Sequence, residues 1–121
     1  MRLALLLLLF APSTAAQPSI SFVGFDFARL QNAAEMREAL AEAVYPEDAR
    51  EAGIQGDVLV LFVADTTGRI IRAVPARRRG GLEEAAAALV RQMRIIPPRI
   101  GGVPAELRSQ VVVRFTLDES R

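Results

Sequence analysis

The chain has 121 residues with 15 basic and 14 acidic side chains, every base is Arg, and it contains neither His nor Cys. That length holds one small domain with a modest core. Without His or Cys there are no disulfides, no Ser-His or Cys-His nucleophile pairs and no zinc site of ordinary composition, and the near balance of charge argues against nucleic-acid binding.

Met1 to Gln17 begins with a single Arg near the start, runs apolar from Leu3 to Ala11, and ends in Pro12-Ser13-Thr14-Ala15-Ala16. This is the layout of a secretory signal cut after Ala16. The apolar run is about half of the roughly 20 residues a helix needs to cross a bilayer, so an uncleaved anchor is the weaker alternative. Removing Arg2 with the leader leaves Arg equal in number to Asp plus Glu. The expected organisation is a signal peptide over 1–16, an N-terminal segment with an amphipathic helix over 17–44, and a folded domain over 45–121.

Gln17 to Phe25 is short and mixed, contains Pro18 and Gly24, and reads either as a disordered start or as a short added strand. Asp26 can cap a helix. Leu30, Ala33, Met36, Leu40 and Val44 then recur at helical spacing, which predicts an amphipathic helix from about Phe27 to Ala43 packed on the sheet. After Tyr45-Pro46 comes a short helix, Glu47 to Glu51, ended by Gly53 as a left-handed cap. Val58 to Ala64 carries no polar side chain, which predicts a central strand covered on both faces. Asp65 to Gly68 is a hairpin turn, and Arg69 to Ala76 a second strand, placed at an edge because Pro75 cannot donate to a ladder. Leu82 to Arg94 is the clearest helix, with Leu82, Ala85, Ala86, Leu89 and Met93 on one face, Glu83 and Glu84 at its positive end, and Pro97-Pro98 beyond it. From Glu106 to Asp118 apolar and polar residues alternate: Leu107, Ser109, Val111, Val113, Phe115 and Leu117 form a core face, opposite Arg108, Gln110, Val112, Arg114 and Thr116.

The fold class is therefore α+β: a small three-stranded, antiparallel or mixed sheet built strand-strand-helix-strand, in the order second, first, third, with an additional N-terminal amphipathic helix. Tyr45, Pro46, Ala49, Gly53, Ile54, Gly56, Val58, Val60, Phe62, Asp65 and Gly68, followed by Gly102-Val103-Pro104 before the last strand, resemble the C-terminal domain of TonB-family energy transducers. The resemblance runs from Tyr45 to about Leu117 and implies the same fold and a periplasmic location. Ile95-Ile96 stands where that family usually has an aromatic residue before the proline. The resemblance also implies that the last strand receives an extended segment of an outer-membrane receptor in TonB-dependent transport. It does not include the family's anchor helix and proline-rich spacer, so the expectation is a free partner-binding domain.

No phosphate loop, dinucleotide fingerprint or calcium loop is present. Glu83-Glu84 and Glu47-Asp48 sit in helix first turns, where the helix dipole accounts for them. The chain is expected not to be an enzyme and to need no cofactor or metal. An edge strand, by contrast, offers unpaired N–H and C=O groups to an incoming strand. The last strand, long and free of Pro and Gly, is the better of the two edges, so Arg108, Gln110, Val112, Arg114 and Thr116 are the candidate partner-binding residues, with edge protection as the other role for the two arginines. The partner is an outer-membrane receptor or other envelope protein, and membrane contact is indirect if the leader is removed. The alternative function is a structural homodimer that buries the stripe Leu59, Leu61 and Val63 between two chains.

Overall fold

The computed structural model describes residues 17–118; the signal peptide expected over 1–16 lies outside the described residues. The elements run β1 (Gln17–Val23), a single 3₁₀ turn (Phe27–Arg29), α1 (Ala33–Glu42), α2 (Glu47–Glu51), β2 (Gly56–Ala64), β3 (Ile70–Pro75), α3 (Leu82–Val90), a two-stranded hairpin of β4 (Arg99–Ile100) and β5 (Val103–Pro104), and β6 (Leu107–Asp118). The main sheet has four strands in the order β1-β6-β2-β3, and every neighbouring pair is antiparallel. The order β3-β2-β6 agrees with the sequence argument, including the edge position of the Pro75 strand.

The fourth strand is the correction. Within Gln17 to Phe25, whose sequence is compatible with either disorder or a strand, Gln17 to Val23 pairs in register with β6 from Gln17↔Asp118 to Val23↔Val112. The last strand is therefore not an edge over that length. The cause lies in the alternation of Ile20 and Phe22 with Ser19 and Ser21. It gives the segment one apolar face, and burying that face leaves Ile20 7% and Phe22 9% exposed.

The predicted helix over 27–43 is broken. Asp26 caps the 3₁₀ turn by accepting from the Ala28 amide, and Leu30 then bridges to Ile95 before α1 begins. Asn32 stands at the start of α1, and its amide side chain is committed to the residue 92–94 turn, donating to the Gln92 carbonyl and accepting from the Arg94 amide. The helix predicted over 82–94 likewise stops at Val90, and Arg94 and Ile95 pair in isolated bridges with Arg69 and Leu30.

All helices pack against one face of the sheet. Met36 of α1, Ala49 of α2 and Leu82, Ala86, Leu89 and Val90 of α3 join one core with Val58, Val60 and Phe62 of β2, Val111, Val113 and Phe115 of β6, and Ile20 and Phe22 of β1. The expectation that β2 is covered on both faces is thus overturned. Val58, Val60, Phe62 and Ala64 are buried, whereas Leu59 and Val63 are half-buried and Leu61 is 44% exposed. An unbroken apolar run does not distinguish a strand covered on two faces from one that lines an open face with aliphatic side chains.

Two glycine-containing contacts set the frame around β2. Gly68 (φ +92°) closes the β2–β3 turn against Ile95, whose amide donates to the Gly68 carbonyl at 2.8 Å; a Cβ on Gly68 would lie 1.8 Å from the Ile95 carbonyl oxygen. Gly56 (φ +141°) opens β2 beneath the Arg79 guanidinium, which a Cβ there would meet at 2.5 Å.

Candidate functional site

Three strand margins of the sheet bear on partner binding, and they differ in which main-chain groups they leave free. In an antiparallel ladder the amide and carbonyl of one residue point to the same side, and successive residues alternate. The Leu117 amide donates to the side-chain carbonyl of Gln55, next to β2, at 2.7 Å. Odd residues of β6 therefore direct their amides toward β2, and Val112, Arg114 and Thr116 direct theirs toward β1. Pro18, which has no N–H, stands opposite Leu117 and falls in the series that points away from β6, together with Ile20 and Phe22.

Of the five candidate residues, Val112, Arg114 and Thr116 are opposite Val23, Ser21 and Ser19 of β1. Their main-chain groups are already engaged. Arg108 and Gln110 lie beyond the end of β1, on the stretch of β6 whose outer side faces no strand. The structure thus divides the set: all five side chains share the open face of the sheet, but only the first two combine an open-face side chain with an uncovered edge.

Arg114 is further committed. It is paired across the sheet with Asp57, its direct neighbour on β2, through Nε to Oδ1 at 2.8 Å and Nη2 to Oδ2 at 3.1 Å. The hydrogen bond to Arg114 holds the Asp57 carboxyl below the usual carboxylate range, and the same bond pushes the Arg114 guanidinium up. Arg108 has a looser contact, 3.6 Å from Glu106, with 78% of its side chain exposed.

The β3 margin is partly blocked. The Ala76 amide donates to the Leu59 carbonyl, so Arg72 and Val74 face β2 while Ala73 and Pro75 face outward. Pro75 has no donor, and Arg91 of α3 donates from Nη2 to the outward Ala73 carbonyl at 3.3 Å. Sequence reasoning found the proline but not the arginine, because residues 73 and 91 are brought together only by the packing of α3 on β3.

The open face carries a shallow apolar groove of about 390 Å³ between β3, β2 and β6, lined by Leu61, Phe62, Val63, Arg72, Val74, Arg108, Ser109 and Gln110. At the opposite end of the core, Tyr45 is buried, stacks edge-on against Phe115 with ring centroids 5.6 Å apart, and donates its hydroxyl to the Ile54 carbonyl at 2.6 Å. Burial raises the phenol pKa. Tyr45 thereby ties the entry of the domain to β6 and to the loop before β2, a packing role.

This frame of a Tyr45 clasp, a short helix, the β2–β3 hairpin, α3 and a long β6 coincides with residues 41–117, which match the family described as Gram-negative bacterial TonB protein C-terminal. The chain belongs to the TonB C-terminal family. Neither a curated protein nor a solved structure gives a significant match. The TonB C-terminal match makes this a periplasmic domain of the transport systems of the Gram-negative envelope. It begins at residue 41, so β1, the strand that covers most of the outer side of β6, is supplied from outside the family region of this TonB-type chain.

Proposed function

We propose that this TonB-type domain is a non-catalytic binding module that takes up an extended segment of an outer-membrane receptor, or of another envelope protein, as an added strand in TonB-dependent transport. The observation that supports the reading is the sheet, three of whose strands lie in the family region: its β3 margin is blunted by Pro75 and by the bond from Arg91, and its β1 margin lacks a donor only at Pro18. Addition of a strand satisfies main-chain groups that otherwise depend on water, and alternate side chains then read the partner's sequence. The test is calorimetric titration of the domain comprising residues 17–121 with synthetic peptides covering the periplasm-facing segments of the outer-membrane receptors of the source bacterium. Saturable binding with an increase in strand signal supports the proposal; absence of binding to every peptide rejects it.

The uncovered stripe favours a second reading, a homodimer. Leu59, Leu61 and Val63, with Val74 39% exposed beside them, are apolar surface that two copies bury if they pack sheet to sheet. Sedimentation equilibrium separates the two readings. A dimer that Leu61→Glu converts to monomer supports the second, and a monomer at all concentrations removes it.

A further inference from the structure

The acceptor edge expected from the sequence, β6, is occupied over Val112–Asp118 by β1 of the same chain. β1 is not loosely laid there. Ile20 and Phe22 are buried in the core. The Phe22 ring packs against Phe25 and Phe27 with centroids 5.8 and 5.9 Å away. The chain then continues into the capped turn at Asp26 and the buried Leu30. A partner strand that took the place of β1 would first have to extract two large side chains from the core. A strand that added outside β1 would extract none.

We propose that the strand-receiving edge of this chain is the outer edge of β1, where an extended segment of an envelope protein adds as a further strand of the sheet. The proposal rests on the strand-addition reading and moves its seat from the family region to a segment that precedes it. β1 is the terminal strand of the sheet. Its outward series offers the Ile20 and Phe22 amides and the Pro18, Ile20 and Phe22 carbonyls, and no helix, loop or side chain among the described residues hydrogen-bonds to them. Pro18 removes one donor, so the usable ladder is centred on Ile20 and Phe22.

The chemistry of the segment follows from the faces. Directly opposed residues on neighbouring strands share a face. A residue opposite Ile20 or Phe22 therefore points to the helix side and is apolar, and one opposite Ser19 or Ser21 points to solvent and is small or polar.

A disulfide that locks β1 to β6 decides between addition outside β1 and its replacement. Ser19 and Thr116 are directly opposed, both are on the open face, and a hydrogen-bonded antiparallel pair has a Cα separation of about 5.5 Å, within disulfide range. Because the chain has no cysteine, Ser19→Cys/Thr116→Cys forms one defined crosslink. Peptides selected from a random displayed library on the wild-type domain are titrated against the oxidised and reduced double variant, and amide exchange is followed by NMR. The expected result is affinity within about twofold in both states, with slowed exchange at Ile20 and Phe22. Binding lost at least tenfold on oxidation and restored on reduction overturns the proposal in favour of β1 displacement while leaving strand addition intact. Equal binding in both states with slowed exchange at Arg108 and Gln110 overturns it in favour of the open end of β6. Recovery of no extended peptide overturns both this proposal and the strand-addition reading.

Discussion

Truncating Phe22 tests whether β1 is an integral strand. The side chain is 9% exposed, so nearly all of an aromatic surface of about 200 Å² is withdrawn from water, which sets a ceiling of roughly 5 kcal/mol at about 25 cal/mol per Å². Phe22→Ala keeps the Cβ, and a terminal strand relaxes more than a central one, so the expected loss is about 3 kcal/mol, at the low end for buried Phe truncations. Against a total stability of roughly 5–15 kcal/mol that is a large fraction, equivalent to a fall in Tm of about 12–24 °C for a domain of this size. Urea unfolding followed by far-UV CD measures it, with Leu61→Ala as the control: Leu61 is 44% exposed on the open face, and its truncation costs under about 1 kcal/mol. A loss below about 1 kcal/mol for Phe22→Ala refutes the packing of β1 described above.

Gly68→Ala puts a Cβ 1.8 Å from the Ile95 carbonyl oxygen at a φ of +92°; the expected cost is about 2–4 kcal/mol by urea unfolding, well above that of Gly24→Ala, where a Cβ meets nothing within 4 Å and only the backbone strain remains. Tyr45→Phe removes the donor to the Ile54 carbonyl but keeps the ring on Phe115, with an expected loss of about 1–2 kcal/mol and an unchanged far-UV spectrum. Stability also falls in acid. Asp65 is lowered by hydrogen bonds from the Thr67 hydroxyl and amide and the Arg69 amide, and Asp57 by its bond to Arg114. A carboxyl lowered in the folded state contributes stability above its unfolded pKa and loses it as pH falls through the folded one. The urea midpoint is therefore expected to be flat between about pH 5 and 7 and to decline below about pH 4, with a shallower decline in Asp65→Asn.

Much of this architecture was legible because local chemistry and packing agree. The alternation of Val111, Val113 and Phe115 specified the core face of β6, the Asp65-Thr66-Thr67-Gly68 turn joined β2 to β3, and Pro75 placed β3 at a margin. The failures share a cause: each depended on what lies beside an element in space. Seven apolar residues in Val58–Ala64 show that β2 is apolar on two faces but not that the helices all pack on one. Ile20 and Phe22 have the period of a strand, yet a segment of this length is a strand only if an edge is available, and that edge lies about ninety residues further along the chain. The candidate set on β6 depends on the same long-range pairing. Its open-face geometry holds for all five residues, but the edge on which three of them relied is filled by β1. The bond from Arg91 to the Ala73 carbonyl left no local mark at all.

The most direct test of a four-stranded sheet with β1 as its margin is residue-resolved amide exchange of the domain by NMR. Slow exchange is expected at Val112, Arg114 and Thr116, whose amides face β1, alongside fast exchange at Arg108 and Gln110 beyond its end and at Ile20 and Phe22 on its outer side. Fast exchange across all the even residues from Arg108 to Thr116, with Ser19, Ser21 and Val23 equally unprotected, would contradict it and return β6 to the edge of a three-stranded sheet.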